Sequence, residues 1–206
     1  DGASSRDTAA DPRQNGGPPS LLSARRTRMK LAAGLLLCML GLLLGAARRT
    51  SVTVDEFGHL PAGYAYLTTA DSKWLTMNPP LHSLAAALPV SLFERAGGGQ
   101  GLAETAPGFW EVGRVFLESN RGRYHQVFMT ARTGIMALAL LAALAGYSLA
   151  RRTGGNAAGL ATLALFALSP DFLAHGSIVT ADAAAALAGL VFVLSVLRYR
   201  DEPTWI

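Results

Sequence analysis

The sequence contains a single cysteine, Cys38, which excludes an internal disulfide framework and any cysteine-based zinc site. Charge is scarce too: 16% of the 206 residues are Asp, Glu, Lys or Arg, against about a quarter in an ordinary soluble domain. So few charges cannot cover a large water-facing surface. Aromatic residues make up 8%, and no soluble basic face carries them as stacking platforms, so the net charge of +4 does not point to nucleic acid. What the chain does have is apolar: 50% hydrophobic residues, mostly Leu and Ala, gathered in runs. That clustering excludes disorder for most of the length. The basic residues flank those runs, where membrane proteins keep them.

Leu31 to Ala47 is seventeen residues without a charge; as a helix it rises about 25 Å, close to a hydrocarbon core of roughly 30 Å. Gly45-Ala46-Ala47 resembles a signal-peptide cleavage site. The apolar stretch is longer than a signal core, however, and Arg48 is a poor start for an exported chain, so the prediction is an uncleaved helix. Gly41 and Gly45 form a G-x-x-x-G pair, a candidate close-packing face. Uncharged runs follow from Thr133 to Ala150, from Asn156 to Ser169 and from Ala183 to Leu197, and the short turn Arg151 to Gly155 makes the second and third a hairpin. The expected fold class is all-α, a polytopic membrane bundle of about four helices with a large outer loop bearing interfacial helices.

Basic residues near the span ends divide eight to four if the N-terminus is inside: Arg25, Arg26, Arg28, Lys30, Arg151, Arg152, Arg198 and Arg200 against Arg48, Arg49, Arg123 and Arg132. That asymmetry predicts a cytoplasmic N-terminus in a multi-pass protein of the inner (plasma) membrane. The expected division is a disordered cytoplasmic tail over 1–29, spans over 30–48, 132–152, 156–173 and 183–200, an outer loop over 49–131, a short outer loop over 174–182 and a cytoplasmic end over 201–206. Beginning on Asp, with few helices for so large a loop, the sequence reads as the N-terminal portion of a longer protein.

Both outer loops carry acids. The first opens Val52-Thr53-Val54-Asp55-Glu56-Phe57-Gly58-His59 and continues through Tyr64 and Tyr66 to Asn78-Pro79-Pro80-Leu81-His82. Asp55 and Glu56 suit either a helix start, where acids cap and complement the dipole, or chemistry. Glu56 and His59, at i and i+3, share a helix face. Pro80 fits the first turn of a helix, and the apolar segment ended by Pro89 is too short to span, so it lies at the interface. Ala96 to Gly108 is a glycine-rich connection, and Trp110 to Tyr124 a helix with Phe116 and Leu117 on its apolar side. The second outer loop leads through His175 and Thr180 to Asp182 at the head of an Ala-rich helix, again a cap or a functional acid.

The pattern Asp55-Glu56-x-x-His59-x-x-Ala62-Gly63-Tyr64-x-Tyr66, then Asn78-Pro79-Pro80-Leu81 and Ala85 to Pro89, resembles the lipid-carrier-dependent glycosyltransferases of the GT-C superfamily. These include the dolichyl-phosphate-mannose protein mannosyltransferases and the aminoarabinose transferases of lipid A. Ala131-Arg132, Tyr147 to Arg152, Ser169-Pro170, Ala174-His175-Gly176 and Thr180-Ala181-Asp182 fall in matching order, so the likeness covers roughly residues 49–200. The chain departs from many relatives around Pro79-Pro80-Leu81, where they carry a basic residue.

The resemblance implies a membrane enzyme that takes a sugar from a polyprenyl-phosphate carrier at the outer face and passes it to a protein, lipid or glycan acceptor. The acceptor hydroxyl must lose its proton as it attacks the anomeric carbon, so a carboxylate base is suited to the step, and single displacement inverts the anomeric centre. The implied base is Asp55, with Glu56 in support and Asp182 as the second-loop acid. Arg132 would hold the carrier phosphate through its forked donors, and His59, His82 and Tyr64 would line the substrate cavity. No cofactor is assigned, and a divalent metal held by the acids and histidines is left open. The alternative is a non-catalytic polytopic scaffold or transporter segment whose acids cap helices; a transporter would bury polar groups in mid-span, and these spans carry no central charge.

Overall fold

In the computed structural model, residues 21–94, 97 and 108–203 are described. They are helical throughout, with no strand among them. In chain order the helices are α1 (Leu21–Arg49), α2 (Val54–Thr69), α3 (Leu81–Pro89), a π-helical turn (Val90–Glu94), α4 (Phe109–Ser119), α5 (Tyr124–Leu168), α6 (Pro170–Gly176) and α7 (Asp182–Asp201). Three of them, α1, α5 and α7, are long and apolar enough to cross a membrane.

The first span begins earlier than the apolar run predicts. Residues 21–29, expected in a disordered tail, form the first turns of α1; residues 1–20 lie outside the described part. Arg and Lys are good helix formers, so the charge boundary before Leu31 ends the apolar run without ending the helix. Met39, Leu43 and Ala47 are fully buried at i, i+4, i+8, one stripe turned to the bundle. The Gly41 and Gly45 pair faces open space and packs against nothing within the chain.

The longest helix, α5, is interrupted at Gly155, whose φ of 81° and ψ of −173° are non-helical. Such a positive φ favours a residue without a Cβ. The two arms fold back on each other: a Cβ on Gly146 would lie 2.6 Å from the Phe166 ring, and one on Gly159 3.1 Å from the Tyr147 carbonyl. The predicted hairpin is therefore present, with helical geometry through Arg151 and Arg152 and one residue making the reversal. The second arm stops at Leu168 instead of extending to Leu173, because Ser169-Pro170 starts a new helix: the Ser169 hydroxyl accepts from Phe172 N at 3.3 Å, with Pro170 at the first position.

The loop elements dock by a repeated device. Pro61 inside α2 and Pro89 at the end of α3 cannot donate to the carbonyls four residues back, those of Phe57 and Ala85. Each released carbonyl is met by a glycine from a neighbouring helix. A Cβ on Gly113 of α4 would fall 2.4 Å from the Phe57 oxygen, and one on Gly134 of α5 1.9 Å from the Ala85 oxygen. The glycines thus present a Cα–H where any larger residue would clash, a weak hydrogen bond in place of the lost one. Pro89 does not end the segment, as expected, but passes it into the π turn. The predicted helix over Trp110 to Tyr124 likewise divides: α4 closes at Asn120, whose side chain donates to the Phe116 carbonyl at 2.8 Å, and Tyr124 opens α5. Of the Ala96 to Gly108 connection, only Gly97 and Gly108 are among the described residues.

Candidate functional site

The segments between the long helices are tied together by a buried ion pair. Arg132 of α5 and Glu56 of α2 both have 0% exposure. Their contact is two-pronged, Nε to Oε1 and Nη2 to Oε2, each at 2.8 Å. The other guanidinium donors go to backbone: Nη1 to the carbonyls of Ala47 at 2.6 Å and Thr50 at 2.9 Å, Nη2 to that of Ser51 at 3.0 Å. All five N–H groups are therefore engaged. Glu56 accepts in addition from Thr53 N at 2.9 Å, Thr53 Oγ1 at 3.2 Å and Val179 N at 3.0 Å.

This arrangement follows from helix ends. The last carbonyls of α1 and the first amides of α2 have no partner within their helices. A cation at the first and an anion at the second complement both dipoles. Burial of each charge is tolerated because its partner and its full set of hydrogen bonds accompany it. The node joins the end of α1, the start of α2, α5 and the turn before α7. Arg132, expected to grip a carrier phosphate, has no donor left for one in this structure; it is a positioning residue. Glu56 supports the site in a more definite sense than the sequence suggested: it closes the first turn of α2 with Thr53 as cap, and holds Val179, 123 positions away.

Asp55 and Asp182 are the acids left free of that node. Asp55 is exposed in the first turn of α2. Asp182 is the first residue of α7, with its side chain 60% exposed. Neither is the residue preceding its helix; those are Thr53 and Ala181. Glu56 is adjacent to one acid in sequence and bonds three residues ahead of the other, so both are presented from a single anchored frame. Asp182 Oδ2 lies 3.2 Å from His175 Nδ1, and Asp171 Oδ1 lies 3.8 Å from His175 Nε2.

Helices α2 and α3 bring a histidine pair together. His59 of α2 and His82 of α3 meet edge to face with ring centroids 4.5 Å apart, and both are buried. His82 Nδ1 donates to the Pro79 carbonyl at 3.0 Å, leaving Nε2 to accept from Ser83 Oγ at 3.3 Å. His59 Nε2 accepts from Asn78 Nδ2 at 3.3 Å. The His82 pKa is lowered from 6.5 to about 4, chiefly by burial and then by the nearby His59, while the Pro79 bond and the charges of Asp182 and Asp55 oppose the shift in part. Burial also lowers that of His59, against the field of Asp55. Both rings are neutral at pH 7.

The remaining expected site residue is Tyr64. It is buried in the core with its ring 5.7 Å from Phe116, and burial raises its pKa against the field of Arg123. Among the described residues, no three His, Cys, Asp or Glu side chains are gathered to hold a metal. Sequence reasoning missed the apolar cavity of about 410 Å³ lined by Val52, Thr53, Val54, Phe57, Trp110, Leu117 and Tyr124. Its only signal was the row of large side chains on either side of Asp55 and at the start of α4. Comparison with known proteins finds no matching family model, no matching curated protein and no matching solved structure.

Proposed function

We propose that the chain is part of a membrane glycosyltransferase that takes a sugar from a polyprenyl-phosphate carrier. The observation that carries this reading is a pair of exposed carboxylates, Asp55 and Asp182, on separate loops that a saturated buried ion pair holds together. Asp55 is the base that takes the acceptor proton, Asp182 the second acid, and His59 and His82 neutral polar groups in the cavity floor. The apolar cavity beginning at Val54, next to Asp55, suits an apolar portion of a substrate. Glu56 and Arg132 act through position alone. The carrier phosphate is left without an assigned partner here, since Arg132 is fully engaged.

The accompanying topology has four crossings, with the two arms of α5 counted separately, the N-terminus in the cytoplasm and the acids at the outer face. A scaffold reading draws on a specific observation, that Asp55 and Asp182 both stand in first turns of helices, where acids are favourable without chemistry. The deciding experiment presents the protein, in its native membrane, with a radiolabelled polyprenyl-phosphate sugar. Label passing to protein, lipid or glycan with inversion at the anomeric carbon supports the transferase; an unconsumed donor, or retention, contradicts it.

A further inference from the structure

At the end of the bundle remote from the acids, α1 and the α5 hairpin enclose a second cavity, of about 280 Å³. It is lined by Arg25, Arg28, Met29, Tyr147, Arg151 and Asn156. Three arginines line it, and no acid does among the described residues. Among the described residues none of the three arginines forms an ion pair. The contrast with the next residue is informative: Arg152 is bonded to the Asp201 carboxylate and to the Leu197 carbonyl. One arginine at this end has an internal partner, and three that converge on a cavity do not.

Three like charges around one small volume repel each other unless an anion sits among them. Their forked donors match the oxygens of a phosphate, and the Tyr147 hydroxyl and Asn156 amide line the same space. The depth is that of lipid headgroups. Arg28 and Ala47, nineteen positions apart on α1, are about 28 Å apart along the axis, the thickness of a hydrocarbon core. The uncharged run begins at Leu31, just above the cavity, and α1 carries exposed Leu31 and Leu37 beside it, an apolar surface for acyl chains.

We propose that this cavity binds the phosphate of an anionic membrane lipid, on the side of the membrane opposite the two exposed acids. Basic pockets between spans at the cytoplasmic surface are suited to such headgroups. This site is independent of the transferase reading and stands or falls separately from it.

The test uses the whole protein in bilayers of phosphatidylcholine containing phosphatidylglycerol as a minority lipid, with retained lipid measured by native mass spectrometry. The wild type should retain phosphatidylglycerol in preference to phosphatidylcholine. Arg25→Gln, Arg28→Gln and Arg151→Gln should each weaken that preference about fivefold, the effect of one basic residue near a charged surface. Arg48→Gln with Arg49→Gln, at the other end of α1, should leave it unchanged. Circular dichroism identifies any variant that fails to fold, and Arg151→Lys, which keeps the charge and loses the fork, should recover only part of the preference. Competition by inorganic phosphate separates the sources: no displacement supports a lipid headgroup, whereas stoichiometric displacement would show an anion from solution and overturn the lipid assignment. Equal loss in the Arg48 and Arg49 variant, or no preference in the wild type, would overturn the site itself.

Discussion

At the scale of single residues, the account separates acids that look alike in sequence. Asp55 and Glu56 are neighbours, yet one is exposed and the other has 0% exposure. Glu56→Gln removes the charge that Arg132 faces and leaves a buried guanidinium unpaired, so it should cost about 3–5 kcal/mol. Unfolding in detergent would measure this, and a loss below about 1 kcal/mol would contradict the buried node. Arg132→Lys should also destabilise, because three donors replace five. His82 adds a pH dependence. Its folded pKa of about 4 lies below its ordinary 6.5, so between those values the unfolded chain binds more protons. Stability should be unaffected by His82 above pH 6.5 and should fall as the pH drops from 6.5 towards 4. His82→Gln should flatten that part of the profile in thermal unfolding; an unchanged slope would show that the imidazole does not titrate there. The His59 pKa on α2 is lowered as well, so its contribution has the same sign.

At the scale of elements, the apolar runs, the hairpin at Gly155 and the helix start at Pro80 were legible in the sequence because periodicity and turn chemistry act locally. The role of Arg132 was not. A lone arginine at the mouth of a span suits a phosphate ligand or an interface anchor, and its partners are 76 to 85 positions away. A tie between the two acid-bearing loops was expected from topology, but the means, a bond from Val179 to Glu56, is a tertiary fact. Glycine positions were similarly ambiguous. Gly41 looked like a packing site and faces open space, whereas Gly134, unremarked in the sequence, abuts the Ala85 carbonyl. Gly134→Ala should therefore force α3 from α5 and cost about 1–3 kcal/mol. Gly41→Ala should be neutral or stabilise by up to about 1 kcal/mol, as alanine does in a helix interior. Thermal midpoints of the two variants check this, and reversed signs would contradict the packing described.

At the scale of the whole molecule, the two ends of the bundle differ in charge and in chemistry: carboxylates and neutral imidazoles at one, and at the other arginines without an ion-pair partner among the described residues. In the proposed topology the arginine end faces the cytoplasm. In a Cys38→Ser background, cysteine at the exposed position of Ser72 should react with an impermeant thiol reagent from outside, and cysteine at Thr153 should not. Labelling of Thr153→Cys alone would invert the topology and place the acids on the wrong face for an extracytoplasmic carrier. The central claim is that the Asp55 carboxylate does chemistry at the outer mouth, and Asp55→Asn tests it most directly, since asparagine keeps the shape. With the protein still folded and inserted, sugar transfer from the polyprenyl-phosphate donor should fall by about 10²–10⁴-fold, the usual share of a general base; near-normal transfer would contradict the account and leave Asp55 a helix-end acid.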